Sequence, residues 1–144
     1  MAEGVLALTV FEYGESEYTG EVFLLVTNPI FWDRCHSCNV KFINSVVEAA
    51  KKRRVTVKFF TNWYDYAQIT GTSMEIADTE IWYWHMNAVG LEGRTDPFFL
   101  DAFAFGPFSK DNIVFKQHIR QDETCGVEIN RTVKLVPNPG NKKE

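Results

Sequence analysis

No stretch of this chain is long and apolar enough to cross a bilayer as a helix, so a helical membrane span is excluded. A basic excess is also missing. The formal charge is -4, whereas proteins that grip a phosphate backbone present a basic face, so nucleic acid is disfavoured as a partner. The start of the chain, Met1-Ala2-Glu3-Gly4, has no cationic segment followed by an apolar core, and no export signal is visible there. On that reading the protein is intracellular or begins at a mature end. Cysteine is scarce, and an odd count of three leaves one thiol over if two pair. Histidine is equally scarce. His36, His85 and His118 lie outside any recognisable motif, and no Gly-x-Ser-x-Gly, His-Glu-x-x-His or Walker-type loop occurs. These absences imply no cofactor or metal and assign no catalytic residue.

What the chain does have is aromatic side chains. They make up 15% of its 144 residues, with twelve Phe, five Tyr and four Trp. Large rings fill cores, but they also serve as stacking platforms for sugars, bases or partner proteins. The length fits one domain with a self-sufficient core, here residues 1–136. Residues 137–144, rich in Pro, Gly, Asn and Lys, read as a flexible C-terminal tail.

Residues 5–13 form a continuous apolar run, hence a buried strand, and residues 21–27 a second strand, the two forming a hairpin across a polar turn. Asn39 is a candidate N-cap. Beyond it Ile43, Val46, Val47 and Ala50 recur at the spacing of one helical face, which predicts a helix to about Arg53. The basic run Lys51-Lys52-Arg53-Arg54 then sits where cations complement the helix dipole. Residues 55–60 alternate as a half-buried strand, 62–66 read as an aromatic loop and 72–76 as another strand. Residues 80–86 are a dense aromatic strand, 97–105 are ambiguous between strand and helical turn, and 113–119 with 127–136 suit a final hairpin. Seven or eight strands and one clear helix make a β-rich, α+β chain.

Two constellations carry candidate chemistry. Cys35-His36-Ser37-Cys38 lies at a helix start, where backbone N–H groups and the dipole stabilise a thiolate. Cys35 and Cys38 are therefore a possible redox pair, with a structural disulfide, incidental thiols or half a metal site as the other readings. The second constellation is Trp63, Tyr64, Asp65, Tyr66 and Gln68, where rings suited to stacking stand beside groups that hydrogen-bond hydroxyls. They are the candidate ligand-binding residues. In Trp82-Tyr83-Trp84, strand alternation puts the two tryptophans on one face and Tyr83 on the other, so one set is core. Asn130-Arg131-Thr132 fits a glycosylation sequon, which matters in a secreted eukaryotic protein.

Two family resemblances follow from these residues. The order strand, Cys35-x-x-Cys38, helix, strand is similar to the active-site unit of the thioredoxin fold, which implies a thioredoxin-like α/β alternative and a thiol-disulfide oxidoreductase. Residues 39–76, with Phe42, Ser45, Ala49, Ala50, the basic turn, Trp63, Tyr66 and Gly71, resemble the helix-strand-strand core of OB-fold B subunits in AB5-type, subtilase-cytotoxin-like bacterial toxins. That resemblance implies an OB-like, partly closed β-barrel with one main helix. It further implies a non-enzymatic, glycan-binding recognition module that assembles as a homo-oligomer. A structural or host-interaction protein that meets another chain through exposed aromatics is the third expectation.

Overall fold

The computed structural model describes residues 20–76, 79–98 and 104–135. Its elements are β1 (Glu21–Leu25), α1 (His36–Lys52), β2 (Thr56–Thr61), α2 (Trp63–Thr70), β3 (Ile81–Trp84), β4 (Ile113–Thr124) and β5 (Val127–Lys134), with short 3-10 turns between some of them. The five strands form one sheet in the order β1-β2-β3-β4-β5. β1 to β4 run parallel, and β5 returns antiparallel to β4. Parallel neighbours need a crossover, which α1 supplies between β1 and β2 and α2 between β2 and β3.

Helix α1 forms where the apolar spacing predicts it, but its start lies earlier. Cys35 is the N-cap, its Sγ accepting the Cys38 N–H at 3.2 Å, and its own N–H donates to Asp33 Oδ1 at 2.7 Å. Asn39 is inside the helix and buried. Its Nδ2 donates to the carbonyls of Asp33 and Ile69, both at 2.8 Å, and so ties α1 to α2. Lys51 and Lys52 occupy the last turn, as the dipole argument requires.

Residues 62–66, expected as a loop, belong to a second helix. Asn62 Oδ1 caps it by accepting the Asp65 N–H at 2.8 Å, and Gly71 ends it at φ +64°. A Cβ on Gly71 would lie 2.7 Å from the His36 ring, so glycine is required there on two counts. Residues 72–76 are irregular rather than a strand. Past β3 the chain turns through residues 87–90 into a 3-10 segment at Leu91–Gly93. The partner expected for the N-terminal hairpin, residues 5–13, lies outside the described residues, as do 99–103 and the tail; β1 itself pairs with β2.

The two sheet faces follow from strand alternation. Leu24, Val26, Val57, Phe59, Ile81, Tyr83 and Ile113 join Val40 and Ile43 of α1 and Tyr66 and Ile69 of α2 in the main core, with Phe105 and Phe108 packed against them. On the opposite face Phe23, Phe60, Trp82 and Phe115 meet mostly edge to face, with Trp82 5.4 Å from Phe23 and 5.3 Å from Phe60. Lys58 closes the amino end of that face. It donates to Glu21 at 2.6 Å and pairs with Glu80. Burial works against its charge, but the hydrogen bonds and charges of the two glutamates outweigh it and raise its pKa.

The fold is therefore β-rich with helices, as the composition and spacing predict. The OB-like barrel is not what the chain builds. An OB fold is a Greek-key barrel of antiparallel character, whereas four of the five described strands here are parallel and lie in sequence order.

Candidate functional site

Open sheets of parallel strands place ligands beyond the carboxyl ends of the strands, because there the loops and the first turns of the following helices converge. A crevice of about 210 Å³ occupies that place. Thr27 and Asn28 line it just past β1, Phe60 from the end of β2, Trp84 and Met86 from the end of β3, Gln117 and Arg120 from β4, and Asn130 from β5. It is smaller than the roughly 300–1,000 Å³ of pockets for drug-sized molecules, so it takes a single ring or a polar substituent rather than a whole chain.

Behind the Thr27 and Asn28 wall lies Asp65, 5% exposed, on the first turn of α2. Its Oδ2 accepts the Thr27 hydroxyl in a short hydrogen bond and the Asn28 N–H at 3.2 Å, so Oδ1 takes neither bond. Asn28 reaches this position in the left-handed region, at φ +55°, which Asn tolerates better than most side chains. Trp32 Nε1–H fixes the same loop by donating to the Thr27 carbonyl at 2.9 Å. The result is a buried carboxylate held rigidly against the rim of the crevice by three elements. Also lining the crevice, the Trp84 indole N–H is buried with no hydrogen-bond partner among the described residues, a state that costs roughly 1–3 kcal/mol for a polar group.

The five predicted ligand-binding residues do not converge. Helix α2 turns Trp63, Tyr64 and Gln68 to solvent, with Trp63 and Tyr64 packed edge to face at 5.8 Å. It turns Asp65 and Tyr66 inward. Of the five, Asp65 alone bonds to residues lining the crevice. Tyr66 is a core residue, 1% exposed, between Phe105 and Phe108, with its hydroxyl donating to the Ser73 carbonyl at 2.6 Å. Trp82 and Trp84 share a face as alternation requires, and Tyr83 is core. Cys35 and Cys38 form a disulfide, and Cys125 is free and exposed. No group of three or more His, Cys, Asp or Glu that could hold a metal occurs among the described residues. No described helix is long and apolar enough to cross a membrane.

Thr27, Asn28, Gln117, Arg120 and Asn130 escaped the sequence reading. The signal was present in Thr27 and Asn28, polar residues directly after an apolar strand, but it has meaning only once the strand is known to be parallel.

Residues 12–118 match the family described as Lysozyme-like protein 1. The chain belongs to this lysozyme-like family. Among its relatives in Caenorhabditis elegans, Lysozyme-like protein 2 is 39% identical over 119 residues, covering 82% of this chain and 42% of that protein. Lysozyme-like protein 1 is 38% identical over 119 residues, covering 82% of this chain and 39% of the relative. Lysozyme-like protein 7 is 35% identical over 118 residues, covering 81% and 41%. The chain thus spans about two fifths of the length of these curated relatives. No solved structure matches it.

Membership in the lysozyme-like family overturns the resemblance to toxin B subunits, and with it the glycan-binding OB-fold oligomer that the resemblance implied. The same match disfavours the two rival readings, a thiol-disulfide oxidoreductase acting through Cys35 and Cys38 and a host-interaction protein. The likeness to toxin subunits rested on a helix-strand spacing and an alanine-bearing helix face, which any helix packed on a sheet can satisfy.

Proposed function

We propose that the chain serves a lysozyme-like function on bacterial cell-wall polysaccharide, with the crevice at the carboxyl ends of β1 to β3, against the middle of β4, as a sugar-binding part of the cleft and Asp65 as the carboxylate behind its rim. The observation that carries this reading is the position of Asp65, buried and braced against Thr27 and Asn28 at the rim. The lining has the chemistry a sugar requires. Phe60, Trp84 and Met86 offer apolar surface, and Asn28, Gln117 and Arg120 offer hydrogen bonds to hydroxyl or acyl groups. The choice of polymer is supported by the family match, whose members are described as lysozyme-like.

Glycoside hydrolysis commonly uses two carboxyl groups roughly 5–9.5 Å apart. Asp65, bonded to the rim residues Thr27 and Asn28, is assigned as one member of such a pair. The test is sedimentation with purified peptidoglycan together with release of new reducing ends, for the wild type and Asp65→Asn. Retention of the wild type on peptidoglycan, with release of ends that Asp65→Asn abolishes while keeping its melting temperature within a few degrees, supports the reading. A wild type that neither sediments nor releases ends refutes it. Equal release by the two proteins refutes the role of Asp65.

A further inference from the structure

The sequence contains a single Asn-x-Ser/Thr triplet, Asn130-Arg131-Thr132, and the fold puts it where a glycan has room. We infer that Asn130 is the acceptor of an N-linked glycan. This inference is independent of the reading of the crevice.

Three observations converge on it. First, the triplet lies on β5, which has β4 on one side and no further strand on the other among the described residues. Asn130, Arg131 and Thr132 are all exposed. Second, the Asn130 side chain is already oriented for the modified state. Its Oδ1 accepts the Gln121 N–H at 3.0 Å, and glycosylation leaves that oxygen untouched. The reaction joins Nδ2 to the anomeric carbon of the sugar and releases a proton from the amide, with the diphosphate of a polyprenyl-diphosphate-linked oligosaccharide as leaving group. The hydrogen bond that holds Asn130 against β4 therefore survives the modification. Third, Cys35 and Cys38 are joined in a disulfide, and such bonds persist chiefly in the oxidising compartments through which secreted proteins pass. Those are the compartments in which sequons are modified.

The position also has a physical use. An edge strand presents unpaired backbone groups on its outer side, and exposed apolar residues make it a template for another chain. β5 carries two such residues, Val127 at 60% exposure and Ile129 at 36%. A hydrated oligosaccharide at Asn130, one position past Ile129, would screen this edge.

The experiment is to secrete the full chain from a eukaryotic cell line behind a heterologous signal peptide and measure its denatured intact mass before and after peptide-N-glycosidase treatment. The expected result is a mass heavier than the polypeptide that collapses on treatment to that of the chain with Asp at position 130. Asn130→Gln and Thr132→Ala should each abolish the extra mass, and Thr132→Ser should retain it. Because mass is read on denatured protein, a folding defect in a variant does not disguise the outcome. Secreted wild type at its bare polypeptide mass would overturn the inference, and so would an enzyme-sensitive mass that persists in Asn130→Gln.

Discussion

Replacing Tyr66 by Phe removes one oxygen atom from the centre of the α2 packing and leaves the ring in place. The contacts with Phe105 at 5.4 Å and Phe108 at 5.6 Å are kept, so the transfer and packing contributions hardly change. What is lost is the 2.6 Å hydrogen bond to the Ser73 carbonyl, which is then left without this donor. Such a loss costs about 1–2 kcal/mol, or a fall of roughly 3–8 °C in melting temperature for a domain of this size. The sign of the effect changes at high pH. Burial pushes the Tyr66 hydroxyl from 10.0 up to about 12, against a smaller opposing effect from its hydrogen bond with Thr70. Between those pH values the folded protein keeps a proton that the unfolded chain has shed, so stability falls as pH rises through the window. A shift of that size corresponds to a few kcal/mol at most. The wild type should therefore be the more stable protein below pH 10 and lose that advantage, or reverse it, as pH approaches 12. Urea unfolding of both proteins at several pH values from neutral to strongly alkaline measures this directly. Stability curves that run parallel across the alkaline range would refute the account of the buried hydroxyl. Loss of peptidoglycan retention in a normally folded Tyr66→Phe protein would return Tyr66 to the ligand-binding residues.

Two further changes probe the same core and the adjoining sheet. Gly106→Ala should destabilise severely, by about 3 kcal/mol or more, because its φ is +51° and the new Cβ would fall 2.5 Å from the Tyr66 ring; a thermal melt within a degree of wild type would contradict this. Burial, helped by the charge of Lys116, lowers the pKa of His118 in the folded state. The unfolded chain then takes up the proton first, so stability falls as pH drops below the ordinary value of 6.5 toward the lowered one, and His118→Asn should flatten that acid limb in melts between pH 7 and 4.

Much of the local structure is legible in the sequence because local signals specify it. The Ile43, Val46, Val47 and Ala50 stripe marks α1, and alternation over 113–119 and 127–136 marks the β4 and β5 hairpin, although β4 runs on to Thr124 and leaves only a two-residue turn. Alternation does not say in which direction a strand runs. Residues 55–60 therefore read equally well as part of an antiparallel barrel, and the site at the carboxyl ends of parallel strands stayed hidden. Helix α2 was missed although both of its boundary signals were present, Asn62 before it and Gly71 after it. Its opening turn, Trp63-Tyr64-Asp65-Tyr66, consists of residues with modest helix propensity, and tertiary packing of Tyr66 and Ile69 overrides that preference. Asp65 is a candidate on residue type alone. Its neighbours in space, Thr27 and Asn28, are 38 and 37 positions away along the chain, beyond the reach of any local pattern.

The sheet order β1-β2-β3-β4-β5 bears on how the molecule assembles. Every described strand lies beside its neighbour in sequence, so among them no pairing must wait for a remote segment to arrive. The tightest closure is at Cys125 and Gly126, where two residues join β4 to β5 and both take the positive φ that such turns demand. Hairpins form in microseconds. The β4 and β5 pair is thus the natural first template, onto which β3, β2 and β1 add in reverse chain order while α2 and α1 fold down over the growing sheet. In a pulsed hydrogen-exchange experiment, amides of β4 that bond to β5 should gain protection before those that join β1 to β2.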